Sequence, residues 1–260
     1  MNPFEKYGIK EVADAIFFSL DENGQFDEPV LVLDTLKIST VEETAETAEA
    51  RGGKGSPRLI TWDYNKDITV TLQDALISMK AMAMMRGGAA TEHAAAKLVK
   101  KAETKTLSSD LEFTTSYGAD GDVFVLETGE KLTPVEGVCT STLGTAGDVV
   151  RIVYDVEVDA GKVYEIVIKP ETFPGTYGLV GDTVIRNTNG VDEGFQFIIP
   201  RAKINSETTL TLEGEGDPAV FDMTITVMKA ANGSMMSLVK YDLGEPGDED
   251  EISNLADPTG

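Results

Sequence analysis

Residues 30–73 read VLVLDTLKISTVEETAETAEARGGKGSPRLITWDYNKDITVTLQ, and the fold turns on how this stretch is parsed. Its first twelve residues alternate. Leu36, Ile38 and Thr40 fall on one side of a period-two pattern and Lys37, Ser39 and Val41 on the other, with the β-branched enrichment of a strand. A second strand is expected over Arg58–Gln73. There Ile60, Trp62 and Tyr64 share a face, and Ile68, Val70 and Leu72 share a face beyond the polar Asn65-Lys66-Asp67 step, where a bulge or turn can reset the register. Between the two lies Glu42–Pro57, EETAETAEARGGKGSP, with few large apolar groups, three glycines and a proline. Fixing such a backbone costs about 1–2 kcal/mol per residue. The segment is therefore expected to be a long loop, floppy in a lone chain. Loops of this length are either functional or disordered, and one that orders only against a neighbouring subunit has a reason to persist.

Working outward, DALISMKAMAMMRGG (74–88) has Asp74 as a candidate N-cap and Gly87-Gly88 as a stop, which predicts a helix over 74–86. Leu76, Met79, Ala83 and Arg86 fall on one side of it, with Ile77, Ala81 and Met84 close by. Its methionines read first as core against a sheet. TEHAAAKLVKKAETK (91–105) favours a second short helix or a linker by propensity. Upstream, VADAIFFSL (12–20) reads as a strand followed by the acidic turn DENGQFDEP.

From Leu107 on, the chain reads as strand and turn. Strands are expected at 111–117, 122–128, 148–158, 162–170, 176–187, 193–200, 207–215, 219–229 and 234–242, with DAG (159–161) as a hairpin turn between 148–158 and KVYEIVIKP (162–170). Residues 243–260 (LGEPGDEDEISNLADPTG) carry no basic group and little to bury, and are expected to form an acidic, flexible tail.

The 260 residues carry 45 acidic and 22 basic side chains, a net charge of −23. A surface of that sign repels nucleic acid and anionic membranes. Specific DNA binding is excluded on this ground, and no apolar run approaches the length of a bilayer span. The N-terminus lacks the pattern of a signal peptide. One cysteine, Cys139, permits no internal disulfide, which suits assembly in a cytoplasm. It reads as a buried, inert thiol, and the single histidine, His93, as an exposed helix residue. RGGKGSP fails as a phosphate loop, because Lys54 is followed by Gly55 rather than Ser or Thr. DENG and DGD lack the ligand alternation of a calcium loop. No catalytic, metal or cofactor site is expected, and no enzyme.

The stretch from Leu33 to Met85, above all ARGGKGSPRLITWDYNKDITVTLQDAL, resembles the long hairpin and following strand of bacteriophage tail tube (major tail) proteins. FQFIIPRAKI and TLTLEGEGDPAVFDMTITVM near the end resemble their closing strand pair. The resemblance implies a mainly β fold, a β-sandwich or barrel with one flanking α-helix. It implies a core from residues 1–103 and 187–242 containing the helix 74–86 and the loop 42–57. Residues 104–186 exceed what a minimal tube subunit needs; this departure from the family pattern reads as an additional strand-rich module facing outward. The resemblance further implies a virion structural protein, assembled in the host cytoplasm into stacked, hexameric rings around an acidic channel through which DNA passes in transit. Tail sheath or other tail proteins would be further partners. Glu42, Glu43, Glu46, Glu49, Arg51, Gly52, Gly53, Lys54 and Arg58 would form the inter-ring contact loop. Leu36, Ile38, Ile60, Trp62, Tyr64, Ile68, Val70 and Leu72 would lie on inter-subunit strands. The alternatives are another β-sandwich virion protein, such as a capsid-decorating, neck or tail component, and a β-sandwich binding module or enzyme.

Overall fold

The computed structural model describes residues 5–209 and 220–242. The chain is mainly β and divides into two compact units, residues 1–89 with 168–260, and residues 90–167. In chain order the first unit contributes β1 (Tyr7–Ile9), β2 (Asp14–Leu20), β3 (Phe26–Leu33), β4 (Leu36–Arg51), β5 (Arg58–Asp74) and α1 (Met79–Met85). The second holds β6 (Ala90–Glu92), β7 (Lys97–Thr106), β8 (Glu112–Thr114), β9 (Val123–Val125), β10 (Lys131–Leu132), β11 (Val138–Thr140), β12 (Val149–Val158) and β13 (Tyr164–Ile166). The first unit resumes with β14 (Thr176–Asn187), β15 (Asp192–Ile204), β16 (Phe221–Val227) and β17 (Ser237–Tyr241). Of the strands expected from sequence, 207–215 lies mostly outside the described residues, as does the tail 243–260.

The boundaries of the units correct the expected ones. Residues 90–103 belong to the second unit and 168–186 to the first. The reason lies in pairing: β14 sits between β2 and β15 in the main sheet, whereas β7 pairs along its whole length with β12.

The first unit is one nine-stranded sheet in the order β3-β2-β14-β15-β16-β5-β4, with β1 beside β14 and β17 beside β15. β3 and β4 end this path on opposite sides, yet only Asp34 and Thr35 separate them in the chain. Two linking residues reach on the order of 10 Å, so the sheet must curl until its ends meet. Leu33 and Leu36 accordingly pack in the same core as Phe17, Val70, Leu72, Leu179, Ile199 and Ile225. Residues 30–41 are thus not one strand but the end of β3 and the start of β4, broken at this corner. Asp74 fixes it, its carboxylate accepting from Thr35 Oγ1 at 2.5 Å and from Leu76 N–H at 3.2 Å.

Asp74 is therefore the buried last residue of β5, not a helix cap. The helix is shorter than expected. Ser78 caps it by accepting from Ala81 N–H, and Gly88 and Gly87 donate to Ala83 O and Met84 O, which is a Schellman ending. Its buried residues are Ala81, Ala83, Met84 and Met85, while Met79 at its start and Leu76 ahead of it are exposed.

Three glycines let aromatic rings lie flat on the main sheet. Phe26 covers Gly178, Phe197 covers Gly181 from the directly paired position, and Tyr241 covers Gly194 from its paired position. Tyr241 also donates to Asp182 at 2.8 Å.

The second unit has a four-stranded sheet in the order β10-β9-β12-β7 and two small ladders, β8 with β11 and β6 with β13. Leu107, Phe113, Val123, Val125, Cys139, Val150, Ile152 and Tyr154 form its core. Residues 91–105, expected as helix or linker, hold the end of β6, a bend at 93–96 and nearly all of β7, where ten registered pairs with β12 outweigh a helix propensity of a few tenths of a kcal/mol per residue. The DAG segment joins no hairpin: β13 pairs with β6, not with β12.

Two carboxylates, the buried Glu130 and the half-buried Glu103, hold this unit's loops. Burial works against the charge on Glu130, but Ser141 Oγ, Thr142 N–H and Oγ1 and Thr128 Oγ1 donate to it and hold its pKa at about 2. Burial likewise opposes charge on Glu103, yet Ser116 Oγ and N–H and Tyr154 OH donate to it and hold it at about 2. Burial pushes the Cys139 thiol up.

Candidate assembly surface

β4 and β5 form a hairpin whose strands run 16 and 17 residues. Only its base is core. Ile68, Val70 and Leu72 are 3%, 0% and 1% exposed, whereas Ile60, Trp62 and Tyr64 are 52%, 53% and 46% exposed. Residues 42–49 and 53–67 are all exposed, so the hairpin leaves the core as a two-stranded arm.

The arm replaces the expected loop 42–57. Glu42–Arg51 is strand, and only 52–57 turns, with Gly53 and Gly55 at φ 83° and 86° and Gly52 N–H donating to Pro57 O. What the segment lacks in apolar surface it finds in its partner strand. The ladder satisfies its backbone, Thr47 donates to Asp63 at 3.1 Å, Lys66 pairs with Glu43 at 2.6 Å, and Glu49 pairs with both Arg51 and Arg58.

Register decides which way each side chain of the arm faces, since directly opposed residues share a face and neighbours along a strand alternate. Ile68, Val70 and Leu72 stand opposite Glu43, Val41 and Ser39, odd-numbered residues of β4. Tyr64, Trp62 and Ile60 stand opposite Glu46, Ala48 and Ala50, even-numbered ones. The ladder steps from Asp67↔Thr44 to Tyr64↔Glu46, so Asn65 and Lys66 together oppose Ala45, with Asn65 at φ 49°. This is a β-bulge at the step anticipated from sequence, and it turns the strand over. Ile60, Trp62 and Tyr64 consequently lie on the opposite face from the core residues of the same strand. The core-side face continues outward as Glu43, Ala45, Thr47, Glu49, Thr61 and Asp63.

A second irregularity, at Lys37, separates Leu36 from Ile38. Leu36 is buried and Ile38 is 49% exposed, so the two do not face one way as the alternation implied. Of the residues assigned to inter-subunit strands, Leu36, Ile68, Val70 and Leu72 have their side chains in the chain's own core. Ile38, Ile60, Trp62 and Tyr64 are open to contact. Glu42, Glu43, Glu46, Glu49, Arg51, Gly53, Lys54 and Arg58 are exposed along the arm or at its turn, with Gly52 partly covered.

Among the described residues no strand pairs with the outer edge of β4. Ser39 Oγ accepts from Ala13 N–H at 3.3 Å near its base, and a groove of about 370 Å³ beside it is lined by apolar residues such as Ile9, Ile38 and Phe197 together with the charged Lys10, Glu11 and Lys37. Such an edge presents unpaired N–H and C=O groups to any strand that approaches.

His93 is not on a helix. It follows β6, and its Nε2 lies 2.8 Å from Glu165, which Lys97 also contacts at 2.5 Å, a surface ion cluster. Among the described residues no group of three His, Cys, Asp or Glu side chains is placed to hold a metal ion, and no helix is long and apolar enough to cross a membrane.

No curated protein matches the chain. A family model does, over residues 7–238, a range that takes in both units and therefore includes the strand-rich module within the family pattern. A mainly β fold with one short helix, an arm that leaves the core and a match over most of its length agree with the tail tube resemblance of the sequence: the chain belongs to the YomU/Tube protein family.

Proposed function

We propose that the chain is a structural subunit of a phage tail tube that self-assembles, six copies to a ring, into stacked rings around an acidic channel for DNA. The observation that carries this reading is the β4–β5 arm. It extends beyond any core that could support it, and among the described residues no strand pairs with the outer edge of β4. An isolated two-stranded ribbon is marginal in water, and a free edge is a liability in a monomer. Both are resolved when identical copies supply the missing neighbour, because closing a ring of subunits removes the edges.

The net charge of −23 suits the channel, since carboxylates repel passing phosphates over about 8 Å at physiological salt. The arm, from Glu42 through Arg58, is the contact to the adjacent ring, and tail sheath or other tail proteins meet the tube elsewhere. The role is structural rather than catalytic, and its place is the virion tail, built in the host cytoplasm. Negative-stain microscopy of the purified full chain tests the reading. Hollow tubes or stacked rings are expected; particles that stay monomeric at every concentration would overturn it.

A further inference from the structure

The two faces of the arm differ in chemistry, and that difference points to a specific contact. On one face Ile60, Trp62 and Tyr64 follow one another at every second position, a strip of about 14 Å at roughly 6.8 Å per step. Opposite them stand Ala50, Ala48 and Glu46. The alanines are too small to cover the rings, and all three large side chains remain about half exposed. The other face carries the arm's internal polar pairs, Thr47 with Asp63, Lys66 with Glu43 and Glu49 with Arg51 and Arg58. An exposed strip of Ile, Trp and Tyr, with Glu46 opposite Tyr64 as the charge at its inner end, has the composition of an interface centre, where Trp and Tyr supply most of the contact energy.

The charge of the chain selects the occupant. The arm's end gathers Arg51, Lys54 and Arg58 against Glu49 alone, and Lys54 has no partner among the described residues. A basic tip on a molecule of net charge −23 is complementary to another copy of that molecule. An anionic bilayer or a nucleic acid would be repelled by the remainder of the chain.

We propose that the Ile60–Trp62–Tyr64 face of the arm is the surface that docks on a second copy of this chain, while the Glu43–Thr47–Glu49–Asp63 face stays in water. The inference rests on the tube reading and adds to it the identity of the contacting face. The bulge at Asn65-Lys66 sets that identity, because without it the aromatic strip would continue the core-side face.

Trp62 is the single tryptophan of the chain, so its emission reports on this face directly. The experiment follows full-length protein through a concentration series, with sedimentation for assembly and Trp emission with acrylamide quenching for the face. Assembly accompanied by a blue shift and a several-fold fall in quenching is the expected result. Assembly with unchanged emission and quenching would overturn the docking face and leave the tube reading standing. Absence of assembly would overturn both. A blue shift while the protein still sediments as a monomer would mean that the face folds against its own chain. A shift on adding anionic phosphatidylglycerol vesicles to the monomer would make it a membrane contact. Either of these overturns the proposal. Trp62→Lys should abolish assembly and keep the monomer's melting temperature, whereas Thr47→Lys on the other face should still assemble. Tyr64→Lys provides the same comparison should Trp62→Lys fail to fold.

Discussion

Trp62 stands directly opposite Ala48 across the β4–β5 hairpin, and a single methyl group leaves the flank of the indole open. Ala48→Lys would lay an aliphatic stem along that flank and place a charge in the strip. Because position 48 is outside the core, monomer stability should change by no more than about 0.5 kcal/mol. Assembly should weaken at least tenfold in midpoint concentration, equivalent to about 1.4 kcal/mol. Thermal melting and sedimentation velocity on the same preparation separate the two effects.

The bulge offers a sharper test of facing. Inserting one alanine after Ala45 gives Asn65 and Lys66 an opposing residue each, removes the bulge and turns every outer residue of the arm to the other face. The core residues Ile68, Val70 and Leu72 are untouched, so the variant should fold but fail to assemble. Lys66→Ala removes only the ion pair to Glu43, a surface contact worth at most about 1 kcal/mol, and should assemble. Circular dichroism and negative-stain images of the pair check both expectations.

Glu130 in the second unit gives a pH dependence with a definite sign. Its carboxylate is held at about 2 against an ordinary value of 4.5. A lowered pKa contributes stability that is fully present above 4.5 and is lost as pH falls toward 2. The contribution is on the order of 3 kcal/mol. Glu130→Gln places an amide donor against hydroxyl and backbone donors and should destabilise this unit by about 2–4 kcal/mol at neutral pH. It should also flatten part of the acid transition, with Glu103 supplying the remainder. Urea titrations of wild type and variant from pH 7 to pH 3 measure this.

Gly181 matters for space rather than for backbone freedom. A β-carbon there would fall among the ring atoms of its cross-strand partner Phe197, itself buried in the core. Gly181→Ala should cost about 1–3 kcal/mol through overpacking, visible as a lowered denaturant midpoint with an unchanged slope.

Much of this architecture was legible in the chain. The strand expected at 176–187 coincides with β14, and the Asn65-Lys66-Asp67 step marks the bulge. Gly87-Gly88 marks the end of the helix. What escaped the sequence was set by partners distant in the chain. Residues 42–51 look too polar to order until β5 is beside them, and 97–106 look helical until β12 is. The corner at Asp34-Thr35 is hidden because it interrupts no hydrophobic pattern; Leu33 and Leu36 both belong to the core, on either side of the turn. Of the candidate contact residues, the exposed half was recognisable by type. Their separation from Ile68, Val70 and Leu72 was not, because parity along β5 is preserved in number while the bulge reverses it in space.

The most direct test of the account is amide hydrogen exchange over residues 37–51, the strand whose outer edge no other strand covers among the described residues. Protection confined to this segment and to residues 58–67 should rise sharply when monomers assemble, as its free N–H groups and the aromatic strip gain neighbours. Assembled particles in which β4 exchanges as fast as in the monomer would contradict the claim that this edge and this arm are where copies meet.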